Sequence, residues 1–445
     1  MNKQEQIEIP KNPELLIVGA STRAAACSAL RAQFQPLCVD QYADQDLREI
    51  AQVLPKTSDD SNWLQALDEH TSMEWIYTGG MENHPNFIEQ ISRKHHLRGC
   101  DPESLSYARD PFFLEEILAR AKVQTPTCFK ADSKPDGNLK WLSKPIHGSG
   151  GHGIHFVDAN SSKSLRNKAC YVQRYQPGIP LSALFIAFHH ISVLVGISMQ
   201  FIGNAALNAK PFQFCGGMTL KTVPASWNQA IVELGQTIAQ KCHIQGIFGC
   251  DLILDPMQEN RIWLNEVNPR YTAITELFEL QSQLPILYWH MAACRTFEEQ
   301  KINLETPLQL RKLLLKAQNQ PQPQIAKGIL YAAQDMTCPY IDWNHNLSKD
   351  LYQIPELADI PHPGTDIQNG SPICSVYGVG ENHQSCLQSL AERIVQYSRL
   401  FQADSRRENN AKAVFNKLWP EMKTENSLFS RFFTSENESH SFLED

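Results

Sequence analysis

Blocks of apolar and polar residues alternate through the first hundred positions of this 445-residue chain. Short apolar runs at Leu15–Ala20, Pro36–Asp40 and Trp75–Tyr77 predict buried strands, and the Ala-rich stretch Thr22–Gln33 has the spacing of a helix. Strands that alternate with helices are typical of parallel sheets. We therefore predict an N-terminal α/β domain over residues 1–105.

A second region begins with helical spacing over Asp110–Lys122. Strand-like runs dominate Trp141–Ile202, and the amphipathic stretch Ser226–Cys242 predicts another helix. Two further strands, Ile247–Leu254 and Ile262–Val267, are separated by a polar turn and form a predicted hairpin. This mixture of helices and hairpin strands indicates a central α+β fold.

We place the boundaries of the central domain at 106–310. Residues 325–402 combine β-like runs, Pro and Gly turns and a helical stretch at Ser385–Leu400, which predicts a small β-rich C-terminal lobe. Residues 403–445 are rich in Asn, Ser, Glu and Arg and show weak periodicity, so we expect a mobile tail. The predicted fold is a multidomain mixture of α/β and α+β units.

Composition narrows the class of function. The net charge of -8 and the pI near 6.0 give no electrostatic reason to expect binding to nucleic acid or to an acidic membrane. The twelve cysteines include no C-x-x-C pair and the polar N-terminus lacks a secretory signal, so we expect reduced thiols and a cytoplasmic location. The most apolar segment, Leu184–Ile202, is interrupted by polar residues and does not predict a membrane span. Small-molecule chemistry is the favoured starting hypothesis.

The predicted hairpin carries the strongest chemical pattern. Because side chains alternate along a strand, Glu266 and Asn268 lie on one face, with Arg270 if the strand continues past the proline. Asp251 on the partner strand can face the same side. Two carboxylates and an amide oxygen are ligands that suit Mg²⁺. A half-buried hairpin whose polar face only meets solvent has the same spacing, so the residues alone leave both interpretations open.

A Gly-rich segment lies upstream of the hairpin. It consists of Lys144 followed by Gly148, Ser149, Gly150, Gly151 and Gly153. Small residues let successive backbone N–H groups approach phosphate oxygens, and a strand-borne lysine adds positive charge. A tight hairpin turn would use the same glycines. The segment is not a P-loop, because no G-K-[ST] follows.

Together the two segments resemble the ATP-grasp family, in which an Asp on one strand and E-[VI]-N-P-R on the next form a metal-binding hairpin. The resemblance implies that Asp251, Glu266 and Asn268 bind Mg²⁺, with Mn²⁺ as an alternative. It implies that Arg270 stabilises a reacting acyl phosphate or bicarbonate. Lys144 would then be both catalytic and ATP-binding, beside a loop that covers the phosphates.

The same resemblance implies a hinge strand whose backbone binds adenine at Gln173, Arg174 and Tyr175, although the acidic residues that relatives commonly carry there are missing. Where many relatives have Asp-Lys, this chain has Asp-Pro at 110–111, and Arg109 just before it is the candidate to replace the lysine. An Asp-Pro pair is also a typical helix N-cap and first turn. Both interpretations can hold together.

Ser21, Arg23 and Glu82 follow predicted N-terminal strands and are candidates for an acceptor-substrate pocket. Structural βαβ packing explains the same turns, and a dinucleotide site is a third alternative, although G-x-G-x-x-G is absent. The small-residue segment Phe214–Gly217 is interpreted as a turn that lines the site or only connects strands.

The resemblance implies an ATP- and Mg²⁺-dependent ligase that activates a carboxylate as an acyl phosphate and joins it to an amine, with formation of ADP. A thiol in place of the amine is the less favoured alternative. The expected partners are a small-molecule carboxylate and an amine, and a homodimer is an open expectation. A segment near 358–376 resembles the C-terminal lobe of biotin-carboxylase-type members, which keeps bicarbonate-dependent carboxylation open. A non-catalytic nucleotide-binding regulator and an NAD(P) oxidoreductase are the remaining alternatives.

Overall fold

The computed structural model describes residues 13–55, 64–65, 67, 70–131, 138–157, 169–255, 261–295, 305–340, 350–401 and 410–418. The helices of this part of the chain are α1 (Arg23–Arg31), α2 (Gln45–Ile50), α3 (Pro85–Ser92), α4 (Pro102–Ala108), α5 (Pro111–Leu118), α6 (Ala225–Lys241), α7 (Thr275–Ser282), α8 (Ile286–Cys294), α9 (Glu305–Gln318), α10 (His383–Phe401) and α11 (Ala411–Leu418). The strands are β1 (Glu14–Gly19), β2 (Gln35–Asp40), β3 (Gln52–Pro55), β4 (Glu74–Tyr77), β5 (His96–Leu97), β6 (Cys128–Lys130), β7 (Trp141–Pro145), β8 (His155–Phe156), β9 (Cys170–Arg174), β10 (Ile179–Phe188), β11 (Ile191–Ile202), β12 (Phe214–Thr219), β13 (Gly246–Leu254), β14 (Ile262–Asn268), β15 (Gln324–Tyr331), β16 (Met336–Thr337), β17 (Leu357–Ala358), β18 (Asp366–Ile367) and β19 (Pro372–Gly380). None of the described helices combines the length and the apolar character needed to cross a membrane.

The N-terminal strands form a parallel sheet in the order β3-β2-β1-β4-β5. All residues of β1 after Glu14 are buried, because both faces of the sheet are covered. Such strands read as continuous apolar runs, which is the signal that predicted them. The expected parallel βαβ domain is confirmed.

Two antiparallel sheets follow. A small sheet has the order β6-β9-β7-β8, and a large sheet has the order β14-β13-β10-β11-β12-β15-β19-β17. The large sheet packs one face on α6, where Gly235 lies against the ring of Phe185, and the other on α7 and α8. The predicted mixture of α/β and α+β units is confirmed.

The predicted C-terminal lobe shares the large sheet with the central strands. Gly216 of β12 pairs with Gly328 of β15, and β15 pairs with β19 along its whole length. Strand pairing therefore continues from the predicted central domain into the predicted C-terminal lobe. The domain boundaries themselves, at residues 310 and 325, stay a prediction. Of residues 403–445, only the α11 region is described, and its Val414 and Leu418 are buried against the rest of the protein.

A buried group of charges connects the N-terminal and C-terminal parts of the fold. Arg23 at the start of α1 donates to both carboxylate oxygens of Glu276 in α7 and, at 3.0 Å, to Asp359 after β17. Lys327 of β15 lies 3.3 Å from Glu276 and 3.5 Å from Asp359, and the Tyr377 hydroxyl donates to Glu276 at 2.6 Å. We call these five residues the Glu276 network. It ties α1 to α7, β15 and β19.

Candidate functional site

A cavity of about 580 Å³ lies between the small sheet and the large sheet. Its size falls within the range of roughly 300–1,000 Å³ that is typical of small-molecule sites. Ten residues that the sequence singled out line it, namely Lys144, Gly150, Gly151, Gln173, Arg174, Tyr175, Asp251, Glu266, Asn268 and Arg270. A smaller extension of about 50 Å³ shares Lys144 and Glu266 and is lined by Arg109, Gly148 and Ser149. Gly153 packs instead against Pro145.

The hairpin β13–β14 brings an acidic pair to the cavity. Asp251 and Glu266 are directly opposite each other in the strand register. Asp251 accepts hydrogen bonds from Ser182 at 3.1 Å and Gln200 at 2.8 Å, and its other oxygen accepts from the Asn268 amide at 3.0 Å. All three donors are neutral, so the hydrogen bonds orient the carboxylate without neutralising it.

The electrostatics of this pair indicate a place for a cation. Burial, followed by the neighbouring charge of Glu266, raises the pKa of Asp251 to about 6. Within the described residues, neither carboxylate forms an ion pair with a lysine or arginine side chain. No cluster of three or more His, Cys, Asp or Glu side chains in that part of the chain could hold a metal ion alone. The pair would therefore need ligands from outside the protein, such as phosphate oxygens.

A β-bulge changes which side chains face the cavity. The register of β13 and β14 shifts between Asp251 and Leu252, so Asn265 is the extra residue. As a result both Asn265 and Glu266 line the cavity, and Asn265 accepts a hydrogen bond from Lys144 at 3.3 Å. Strict alternation along the strand gave no signal for Asn265. Ser182 and Gln200 were also missed, although Gln200 is a polar residue inside a long apolar strand.

Lys144 of β7 is buried and lines the cavity between the two sheets. Its ammonium donates to the Gln173 side chain at 3.1 Å and lies over the ring of Tyr171. Burial alone would lower the pKa of Lys144, but Tyr171 and Glu266 raise it, so the side chain keeps its charge. The Gln173 amide in turn donates to Cys128. Gln173 thus holds Lys144 by its side chain, a role that the sequence did not predict.

The Gly-rich loop is closed over the cavity by the turn before β12. The backbone N–H of Phe214 donates to the carbonyl of Gly150 at 3.2 Å. Gly151 has a φ of +81°, and a Cβ there would lie 1.8 Å from the carbonyl oxygen of Phe212. Only glycine fits this close approach. Phe214–Gly217, interpreted as a turn, is instead part of strand β12, and its Phe214 lines the cavity.

Arg270 follows the hairpin and meets the N-terminal domain. Its Nε donates to Glu82 at 2.7 Å and one terminal nitrogen donates to Asn268 at 3.1 Å. Arg109 lies 3.6 Å from the same oxygen of Glu82 and donates to the carbonyl of Gly148 at 2.8 Å. Asp110 caps α5 by accepting from Phe112 and Phe113, so the N-cap and the loop contact of Arg109 occur together.

The three predicted substrate residues have different surroundings. Glu82 lies beside Arg270. Ser21 is exposed, and its carbonyl accepts a hydrogen bond from Thr78 at the ends of β1 and β4. Arg23 is 4% exposed, does not line the cavity and is bound within the Glu276 network. The structure thus brings Glu82 to Arg270 and keeps Arg23 within the Glu276 network.

A family model described as an ATP-grasp domain matches residues 108–274, the segment that supplies both the Gly-rich loop and the acidic hairpin. This chain contains an ATP-grasp domain. The match covers the walls of the cavity but neither Glu82 nor any residue of the Glu276 network. No curated protein matches the chain significantly in sequence.

Solved structures extend the similarity of the ATP-grasp domain to most of the chain. L-amino acid ligase from Bacillus licheniformis aligns with a TM-score of 0.59 and 13% identity, covering 85% of this chain and 96% of that one. Biotin carboxylase from Campylobacter jejuni aligns with a TM-score of 0.64 and 12% identity, over 95% and 98%. The biotin carboxylase domain dimer of Hydrogenobacter thermophilus 2-oxoglutarate carboxylase, solved with MgADP, ADP and bicarbonate, gives 0.63 and 11%, over 92% and 94%. The TM-scores show that these proteins share the fold of this chain, and at such low identities the similarity extends to the fold alone.

Proposed function

We propose that this protein is an ADP-forming ligase that uses ATP and Mg²⁺ to activate a carboxylate as an acyl phosphate and joins it to an amine. One observation carries the proposal. A single cavity unites a buried lysine, a glycine loop suited to phosphates, an arginine and a pair of carboxylates that have no ion-pair partner among the described residues. The ligase and carboxylase structures that share the fold make ATP-driven activation of an acid the natural chemistry for such a cavity.

The donor set fits Mg²⁺. Asp251 and Glu266 would hold the ion, because oxygen ligands and a site completed by phosphates are what Mg²⁺ prefers. Asn268, expected from the sequence as a third ligand, instead orients Asp251 through its NH2 group while its oxygen accepts from Arg270. When bound, the ion neutralises phosphate charge and acts as a Lewis acid. The raised pKa of Asp251 supports the assignment, since a nearby cation would remove the cost of two adjacent carboxylates.

The remaining residues bind and orient the reactants. Lys144 and the backbone N–H groups of the Gly-rich loop would stabilise phosphate oxygens as a substrate carboxylate attacks the γ-phosphate. ADP leaves, and an amine then displaces phosphate from the acyl phosphate. Arg270 would bind the oxyanion that develops in both steps. The chemistry relies on positioning and needs no Ser or Cys nucleophile.

The test is ADP and phosphate release by the purified protein with ATP and Mg²⁺, in the presence of pooled carboxylates and amines. Release that requires both an acid and an amine, and that is lost in Glu266→Gln, supports the ligase. A matched control is Glu233→Gln, which removes an exposed carboxylate paired with Lys122 on the surface. Release that requires bicarbonate alone would instead identify a carboxylase. ATP binding without release in any pool would identify a regulator.

A further inference from the structure

Glu82 is a buried carboxylate outside the acidic hairpin, and it contacts two of the arginines that line the cavity and its extension, Arg270 and Arg109. Its side chain is 0% exposed, and one oxygen, Oε1, lies 2.7 Å from Nε of Arg270 and 3.6 Å from a terminal nitrogen of Arg109. Its other oxygen has no hydrogen-bond partner, and neither does that Arg109 nitrogen. A fully buried carboxylate needs cationic partners. Here both partners are residues of the cavity and its extension.

Glu82 is itself fixed by the fold. It lies in a short 3-10 turn, Met81–Asn83, after the left-handed Gly80 at the end of β4. The backbone of Gly79 packs against the Arg270 guanidinium, so that a Cβ there would lie 3.6 Å from its central carbon. The turn therefore contacts the Arg270 guanidinium in two ways, through the backbone of Gly79 and through the carboxylate of Glu82.

The contacts of Arg270 leave part of its guanidinium available. Nε donates to Glu82, and the two terminal nitrogens donate to Asn268 at 3.1 Å and to the carbonyl of Tyr271 at 3.3 Å. A guanidinium has five N–H donors. Three are used by the protein, and one N–H on each terminal nitrogen remains for a bond to an oxyanion.

Arg109 connects the turn that contains Glu82 to the Gly-rich loop. It donates to the Asn83 side chain at 3.0 Å and to the carbonyl of Gly148 at 2.8 Å. The turn that holds Arg270 thus also holds the beginning of the Gly-rich loop. One carboxylate of the N-terminal domain lies at the junction of the two elements.

We propose that Glu82 is a positioning residue that fixes Arg270 for the reacting oxyanion and, through Arg109, sets the place of the Gly-rich loop. The inference rests on the proposed ligase function. It gives the N-terminal domain a role in the reaction itself, in place of the substrate contact expected for Glu82. A substrate-binding Glu82 would leave Arg270 in place when it is mutated, whereas a positioning Glu82 would not.

The test is the kinetics of Glu82→Gln, which keeps the size of the side chain and removes its charge. We expect kcat to fall about 100-fold, the effect of misplacing a catalytic group by about 1 Å. The Kd for ATP with Mg²⁺ should rise by no more than about threefold, because only the contact of the Gly-rich loop through Arg109 is weakened and the acidic pair and Lys144 are untouched. Glu82→Asp, which restores the charge with a shorter reach, should recover part of kcat. If the Gln variant does not fold, the Asp variant carries the test by the same split between kcat and Kd.

Glu74→Gln is the matched control. Glu74 is also a partly buried carboxylate of the N-terminal sheet paired with arginine, at 2.7 Å from Arg98, but it lies away from the cavity. It should alter stability and leave kcat unchanged. Equal losses of kcat in Glu74→Gln and Glu82→Gln, or a Glu82→Gln variant with wild-type kcat, would overturn the inference.

A second readout separates this inference from the proposed function. Phenylglyoxal modifies accessible arginines, and mass spectrometry of Arg270 reports how firmly it is held without any turnover. We expect labelling at Arg270 to be at least about tenfold faster in Glu82→Gln than in the wild type or Glu74→Gln. Faster labelling of Arg270 in Glu82→Gln, with no turnover of any carboxylate by the wild type, would contradict the ligase function and support the positioning role. Unchanged labelling would sink the positioning role whatever the reaction.

Discussion

Two acidic regions lie close together in this chain, a buried one around Glu276 and a half-buried one at Asp251 and Glu266, and they have different surroundings. Burial alone would raise the pKa of Glu276, but Arg23 and Lys327 lower it to about 2. In the hairpin just before it, Asp251 has neutral donors and the like charge of Glu266, and its pKa is raised to about 6. The fold supplies ion-pair partners to the first region, whereas the second has Lys144 and Arg270 nearby but no ion pair within the described residues. We infer that the ion-paired Glu276 network stabilises the fold, and that the carboxylates without ion pairs, Asp251 and Glu266, belong to the functional site.

The largest expected effect is on activity. Glu266→Gln removes one carboxylate of the Asp251–Glu266 pair and should lower ADP formation about 10³-fold, the upper part of the range for losing one charge-stabilising group. The free energy of unfolding should stay the same or rise, since like-charge repulsion with Asp251 is relieved. Turnover assays and thermal melts measure both quantities. A variant that loses stability and activity together would remove the distinction between the two regions.

The opposite outcome is expected at the Glu276 network. Glu276→Gln leaves Arg23 and Lys327 buried with one carboxylate fewer. Removing one partner of a buried ion pair costs about 3–5 kcal/mol, so the unfolding midpoint in denaturant should fall markedly. The folded fraction should bind ATP with wild-type affinity. Wild-type stability, or a selective loss of ATP binding, would place Glu276 in the functional site instead.

The two regions should also respond to pH with opposite sign. The pKa of Asp251 is higher in the folded than in the unfolded protein, so without nucleotide its contribution to stability decreases as pH rises from about 4 to about 6. The pKa of Glu276 is lower in the folded protein, so its contribution is present above about 4.5 and is lost as pH falls towards about 2. Unfolding measured across pH 3–7 should lose the first slope in Asp251→Asn and the second in Glu276→Gln. Slopes that survive these substitutions would mean that other groups titrate.

The raised pKa of Asp251 should also make Mg²⁺-dependent ATP binding sensitive to pH. Because a proton must leave Asp251 before a cation can bind, Mg²⁺-dependent ATP binding should weaken by up to about tenfold per pH unit below 6. Above pH 6 it should be flat. Calorimetric titrations at several pH values check this, and an affinity that is flat from pH 5 to 8 would contradict it.

Local patterns in the sequence were sufficient for the hairpin and its acidic pair. Alternation along β14 placed Glu266 and Asn268 on one face and allowed Asp251 of β13 to face the same side, and glycine spacing marked the loop at Gly150. The bulge that turns Asn265 to the cavity depends on tertiary packing and leaves no periodic signal. The contact of Glu82 with Arg270 joins residues 188 positions apart, and no local rule predicts it.

Arg23 shows the same limit from the other side. Its place after a strand resembles a substrate site, but the fold recruits it to neutralise Glu276 and Asp359. Which charges pair in the interior is set by the packing of α1 on α7 and of both on β15 and β19. A sequence read without those contacts cannot separate a structural arginine from a binding one.

The central claim is that Asp251 and Glu266 form the place where a divalent cation joins ATP to this protein. The most direct measurement is calorimetric titration of ATP at pH 7.5, with Mg²⁺ and with EDTA in its place, for the wild type and for the double variant Asp251→Asn, Glu266→Gln. We predict that Mg²⁺ raises the affinity of the wild type at least about tenfold and that of the double variant less than about twofold. The same Mg²⁺ dependence in both proteins would contradict the account.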